Sequence, residues 1–452
     1  MYRISLGVLV LFVMISCSSD GPGYQPPYIP EPEIIEPLTD EEMMDLTQQE
    51  TFKYFWDYAN TESGAAKERY HPRNPELNKN VVTAGGTGFG LMAIIVAIER
   101  GYITKSEGIA RLNKILNFLN NADRFHGAWS HWIDGGSGNV IPFSPKDDGG
   151  DLVETAFVAQ GLICIKEYFK NGTSEEQDLA SLADALWKGV EWNWYTQNQN
   201  VLYWHWSPNY DFEMNLKLQG YNETMIAYIL GAASPDYTIQ KEVYTQGWAN
   251  NGAIKSSDFQ YGLPLILNHA DGSRYGGPLF FSHYSFLGLN PKNLNDQYAN
   301  YWELAVNHTK INRQYCIENP KNYTDYGKDC WGLTASYSRN SDGSIGYSAH
   351  SPVNDSGVIS PTAAISSIPY TPAESLDVMH YLYQKKKQML GVAGFYDAFS
   401  PQYNFWVADA YLAIDQGPQI IMIENYRTGL IWNLFMQNED VKNGLNKLGF
   451  NY

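Results

Sequence analysis

Two kinds of apolar segment alternate along the chain. Positions 90–98 and 152–165 are apolar on nearly every side, as buried helices are. Between and after them, 105–120 and 175–191 carry a single stripe: Ile109, Leu112, Leu116 and Leu119 in one, Leu179, Leu182, Leu186 and Val190 in the other. A stripe at this spacing marks a surface helix. Buried and surface helices in alternation predict an all-α fold, a toroid of inner helices wrapped by outer ones. Phe52, Phe55, Trp56 and Ala59 add a helix near the start.

Helix starts are written beside these patterns. Thr39–Glu42, Thr104–Glu107, Ser174–Gln177 and Thr371–Glu374 read as capping boxes, the last with Pro372 at the first helical position. Strand signals are few; Val201–Trp204 predicts a short hairpin. Long segments rich in Gly, Asn and Tyr separate the helices at 126–150, 196–220, 252–284 and 317–370. Loops of this length are usually functional. In a toroid they gather at one mouth and build a pocket, with Val201–Trp204 inside one of them.

The first 38 residues follow no such pattern. Arg3 precedes an apolar run, Ile4–Ile15, too short to span a bilayer comfortably. The run ends at Ser16-Cys17, which resembles a bacterial lipobox. Residues 18–38 form a Pro/Gly-rich tether. The expectation is a signal peptide at 1–17, a tether at 18–38 and a catalytic domain at 39–452. The protein would be exported and lipid-anchored through Cys17, in the periplasm or outer membrane of a Gram-negative bacterium. Export permits a disulfide, so Cys316 and Cys330 are expected on one face, where a bridge can form. Cys164 reads as a core thiol. No Cys/His spacing points to a metal, and no cofactor motif is present. Gly85-Gly86-Thr87-Gly88 lacks the lysine of a phosphate loop.

Charge narrows the ligand. A net charge of −18 argues against nucleic acid and anionic substrates. The 33 Tyr and 13 Trp suit a neutral, hydroxyl-rich ligand, because each offers a flat apolar face with a polar tip. Acids cluster where loops meet helices: Asp147, Asp148, Asp151 and Glu154 before one apolar helix, Glu223 before another, then Asp397, Asp415 and Glu424. Paired carboxyls from different elements are what glycosidic hydrolysis needs, one as acid and one as base or nucleophile. Glu223 stands alone among apolar neighbours, where desolvation makes a proton donor. Trp129, Trp132, Trp204, Trp206 and Tyr221 are the candidates for stacking on sugar. His131, His205 and His283 read as hydrogen-bonded pocket or core histidines.

Several motifs together resemble a known family: Thr51–Asp57, Thr87–Leu91, Gly149–Ala156, Gly276–Phe281, Trp331–Ala335, Pro361–Ala364 and Ile414–Pro418 through Arg427. In order over about 40–450, they resemble the bacterial "glucoamylase-like" glycoside hydrolase family 144. The resemblance implies an (α/α) six-hairpin toroid and hydrolysis of β-1,2-glucan. It carries Asp151, Glu223 and Asp415 onto the catalytic positions, with Asp147 and Glu154 in the same pocket. His131, Glu424 and Arg427 join the expected substrate contacts. Val82–Gly86 departs from the family pattern. An inverting mechanism follows by analogy, with Glu223 as acid and Asp415 or Asp151 as base. The expected partner is a glucan, and the expected state a monomer. The rivals are an α-glucan glucoamylase, a non-catalytic glycan-binding lipoprotein and, with less support, a polysaccharide lyase.

Overall fold

The computed structural model describes residues 37–385 and 387–452. The expected signal peptide, Cys17 and most of the expected tether lie outside them. Twelve helices follow in chain order: α1 Asp40–Trp56, α2 Ala84–Glu99, α3 Lys105–Asn121, α4 Leu152–Phe169, α5 Ser174–Lys188, α6 Met225–Ala233, α7 Tyr301–Glu318, α8 Pro361–Ile365, α9 Pro372–Lys385, α10 Ala413–Arg427, α11 Leu430–Met436 and α12 Glu439–Leu448. Strands are two to five residues long and form eight small antiparallel sheets. Leu38–Tyr452 is one compact unit. No helix of the described residues is long and apolar enough to cross a membrane.

The buried and striped patterns have become two layers. Helix α2 packs on α4 and α10, α4 on α6, and α8 on α10. The short 3-10 turns at Leu279–Phe286 close the ring between α6 and α8. There His283 Nε2 meets Ser367 Oγ at 2.9 Å, and Tyr370 donates to the Ser282 carbonyl at 2.9 Å. Helices α1, α3, α5, α9 and α12 lie outside this ring. Glycines let the inner helices approach. A Cβ on Gly88 would sit 2.3 Å from the Phe157 carbonyl oxygen, and one on Gly161 2.4 Å from that of Gly88. The glycine run that mimicked a phosphate loop is thus the α2–α4 contact.

One local reading is corrected. The third cap is Thr173 with Glu176, one residue earlier than read. The boxes at Thr39 and Thr104 are as read. Val201–Trp204 does pair antiparallel, its Tyr203 against Lys217, and the strand that follows it, His205–Trp206, pairs with Gly150–Asp151.

Cys316 and Cys330 are both buried thiols, not joined to each other. Burial pushes the Cys316 thiol well above its ordinary range, which suppresses the thiolate that oxidation requires. Unfolding residues 38–452 without reductant should therefore expose three reactive thiols. A count of one would establish the bridge.

Candidate active site

Each of the four long loops reaches the same end of the toroid. They surround a cleft of about 440 Å³ with His131, Trp132 and Phe143 on one side, Trp204 beside them, and Phe280, Tyr284, Ala335 and Tyr347 opposite. Phe143 packs on His131 and Trp132 with centroids 4.2 and 4.8 Å away. Phe280 stacks on Tyr284 at 5.0 Å. These walls are apolar and flat, suited to the faces of sugar rings. The carboxyl groups that line the cleft are Glu68, Glu154 and Glu223.

Glu223 sits in the turn that opens α6. Its carbonyl is held by Ser285 Oγ at 2.5 Å. Its carboxyl has a buried oxygen, Oε2, with no hydrogen-bond partner. Burial raises its pKa to about 7, and the charges of Glu154 and Asp151 push the same way. A carboxyl with a free oxygen and a pKa near neutrality is equipped to donate a proton.

Glu154 lies on the first turn of α4. Its Oε2 accepts from the Gly85 N–H at 2.7 Å and from Thr83 Oγ1 at 3.0 Å. A Cβ at residue 85 would lie 2.5 Å from that oxygen, so only glycine brings the amide this close. Burial pushes the Glu154 pKa up, while the His131 cation and the two donors work against it. Val82–Gly86, where the sequence leaves the family pattern, thus contains both residues that hold Glu154.

Asp151 is fully buried and saturated. Its Oδ1 caps α4 through the N–H groups of Val153 and Glu154 at 3.0 and 2.9 Å, and accepts from Trp204 Nε1 at 2.9 Å. Its Oδ2 accepts from His131 Nδ1 at 2.9 Å and lies 3.6 Å from His205 Nε2. His205 Nε2 also meets Asp147 Oδ2 at 3.2 Å. Burial would raise the Asp151 pKa, but the histidine hydrogen bonds and charges overcome it and hold the group ionised. Burial opposes the imidazolium of both histidines, yet the surrounding carboxylates lift each to about 9. The result is a buried lattice of two cations and two anions. Atoms of His131, Asp147 and Asp151 lie within 4.8 Å of one another, close enough to hold a metal ion.

The expectation that Asp151, Glu223 and Asp415 line one cavity is corrected. Glu223 does, with Glu154, His131, Trp132 and Trp204. Asp151 and Asp147 stand behind that surface and position the histidines. Asp415 is buried next to Ile414, which does line the cleft, and its charge acts on Tyr284 and Tyr347 of the same cleft. Both Asp415 oxygens are buried without a hydrogen-bond partner. Burial and the neighbouring Asp397 raise its pKa well above its ordinary value.

Four stacking or binding candidates lie elsewhere. Trp129 is a core residue: its indole donates to the Leu119 carbonyl at 2.9 Å and carries Arg124 over its ring. Tyr221 is buried against Ser282 at 3.0 Å. Ser282 in turn meets His308 at 2.8 Å. Glu424 pairs with Arg100 at 2.6 Å, and Arg427 with Asp45 at 2.6 Å and Glu41 at 2.9 Å. Both lie at the far end of α10, and nine residues separate Asp415 from Glu424, roughly 13 Å of helix. A fifth, Trp206, packs away from the cleft against His126.

Sequence reasoning missed Glu68 and Arg69. Arg69 Nη1 donates to Tyr337 at 2.6 Å and its fork holds Glu68. Adjacent opposite charges in the α1–α2 connection carry no signal of burial in the sequence. Phe143, Phe157, Phe280, Tyr284 and Tyr347 were missed too, since nothing local separates a wall aromatic from a core one. All but Phe157 did lie in the loops singled out.

A helical toroid whose loops enclose an aromatic cleft with carboxyl groups has the parts that a glycoside hydrolase site needs. Residues 215–439 match the family model described as "Putative glucoamylase". An endo-β-1,2-glucanase from Chitinophaga pinensis, solved with sophorotriose and glucose, is 55% identical, with a TM-score of 0.89 over 92% of this chain and 99% of that one. A Parabacteroides distasonis exo-β-1,2-glucooligosaccharide sophorohydrolase is 43% identical over 91% of this chain, which spans 58% of that relative's length. An endo-β-1,2-glucanase from Talaromyces funiculosus, solved with sophorose, shares the fold at 11% identity, with a TM-score of 0.65 over 90% of each chain. The chain belongs to the bacterial glucoamylase-like family, glycoside hydrolase family 144.

Proposed function

We propose that this chain hydrolyses β-1,2-linked glucan, with Glu223 as the acid. The observation that carries the chemistry is Glu223 itself, a carboxyl with a free buried oxygen and a pKa near 7 in an aromatic cleft. The substrate is supported by the relatives above, which are named for β-1,2-glucans. Sugar rings lie on Trp132, Trp204 and Phe143. Glu223 gives its proton to the glycosidic oxygen as the bond to the anomeric carbon breaks. Glu154, anchored through Oε2 by Gly85 and Thr83, takes a proton from the water that attacks that carbon. Asp151 and Asp147 act through His131 and His205, and Asp415 through the wall it supports.

We extend the proposal to inversion of the anomeric centre, which proton NMR of the first product reads directly. Export with lipid anchoring at Cys17 and a monomeric state are proposed on the sequence alone. Incubation with β-1,2-glucan should release sophoro-oligosaccharides, and incubation with starch should release nothing. Release of glucose from starch, with β-1,2-glucan untouched, would replace this reading with an α-glucan glucoamylase.

A further inference from the structure

We propose that the groove beside Trp194 is a second glucan-binding site outside the catalytic cleft. It would hold a distant part of the polymer that the cleft is cutting, and so it rests on the proposed function. Trp194 is 42% exposed, an unfavourable place for the largest apolar side chain. It is also fixed there. One face stacks on the His126 ring at 3.7 Å and 14°. His126 is held by Glu191 at 3.0 Å and by the Trp206 ring at 4.8 Å, set at 90°. The indole cannot turn in to bury itself, and its other face meets solvent.

The backbone beside it is strained in a way that builds a groove. Trp194–Thr196 is a single 3-10 turn. The next two residues, Gln197 and Asn198, have φ of 50° and 57°. Left-handed conformations at two successive non-glycine residues are unfavourable. They set both residues along the groove wall, with the Asn198 N–H on Thr196 Oγ1 at 3.1 Å. The groove, about 470 Å³, contains Trp194, Phe212 and Tyr237 with Asn193, Gln197, Asn198 and Glu191. Aromatic faces beside amides, with no lysine or arginine, fit a neutral polyhydroxylated chain and disfavour an anion.

One stretch of backbone, residues 204–206, links the supports of the groove and the cleft. Trp206 pairs with Gly150, the neighbour of Asp151. His205 contacts Asp147 and Asp151, and Trp204 lines the cleft. Two residues of strand, about 7 Å, separate the aromatic that serves one site from the one that supports the other.

The test is Trp194→Ala in the otherwise native chain, with Trp194→Phe as the conservative variant. With β-1,2-glucan polymer, Trp194→Ala should raise KM roughly 3- to 10-fold at unchanged kcat, the loss of one stacked aromatic. With the shortest oligosaccharide cleaved, KM should not move, and Trp194→Phe should lie between. An unchanged polymer KM overturns the proposal, as does an equal rise for short and long substrates, which would report a distorted cleft. Affinity electrophoresis in gels of β-1,2-, β-1,3-, β-1,4- and α-1,4-glucan provides a readout independent of turnover. If no glucan is hydrolysed, the proposed function fails, while retardation lost in Trp194→Ala still supports the second site. Equal mobility of native and Trp194→Ala protein in every gel overturns it. So does a native dimer that Trp194→Ala dissociates, because the groove would then face a second copy.

Discussion

Glu223→Gln should lose nearly all turnover of β-1,2-glucan while still binding it. Glutamine keeps the shape and hydrogen-bonding reach of the side chain and removes the transferable proton. The lost interaction exists mainly in the transition state, so kcat and kcat/KM should fall together. General acid catalysis contributes roughly 10²–10⁴-fold, and the fall should be of that order. A substrate with a very good leaving group needs little protonation and should be affected least. The pH profile follows from the same group. Glu223 must carry its proton, and its pKa lies at about 7, so native kcat/KM should decline as pH rises through 7. Near-native hydrolysis by Glu223→Gln would remove the residue from the mechanism and move the acid role to Glu154.

The fold was legible because toroid helices announce their layer by patterning alone. Leu152–Ile165 had to be inner, since no face of it could meet water, and Leu179, Leu182 and Leu186 had to stand on one side of an outer helix. Glu223 was legible for a related reason: a lone acid among apolar residues has to be explained by its environment. What the sequence withheld was direction. Asp151 and Glu154 share one helical turn, yet one is saturated by five groups behind the wall and the other turns an oxygen toward the cleft. That difference is set by Trp204, His131 and His205, brought in from distant loops. The same limit misplaced Glu424 and Arg427, whose motif is continuous with Asp415 but whose helix carries them to the opposite end. Trp129 and Tyr221 stood beside the right acids in sequence and face the core in space.

Asp151→Asn should fold, and should be destabilised in a pH-dependent way. The asparagine Oδ1 can still accept from Val153, Glu154 and Trp204, so the helix cap survives. What disappears is the charge that pairs with the His131 and His205 imidazoliums. Leaving buried charges uncompensated costs about 3–5 kcal/mol, and the lower end applies because Asp147 and Glu154 remain nearby. The signs fix the window. Asp151 has a folded pKa below its ordinary value, so its contribution is present above about 4 and is lost as pH falls. The histidines have folded pKa values raised to about 9, so their contribution is complete below about 6.5 and is lost as pH rises through 9. The deficit of Asp151→Asn against the native protein should therefore be greatest between about pH 5 and 7 and should shrink by pH 9.5, as the imidazoliums lose their protons. Urea denaturation at pH 6 and pH 9.5 measures it. An equal deficit at both values would mean that the pairing of Asp151 with the imidazoliums contributes nothing to stability.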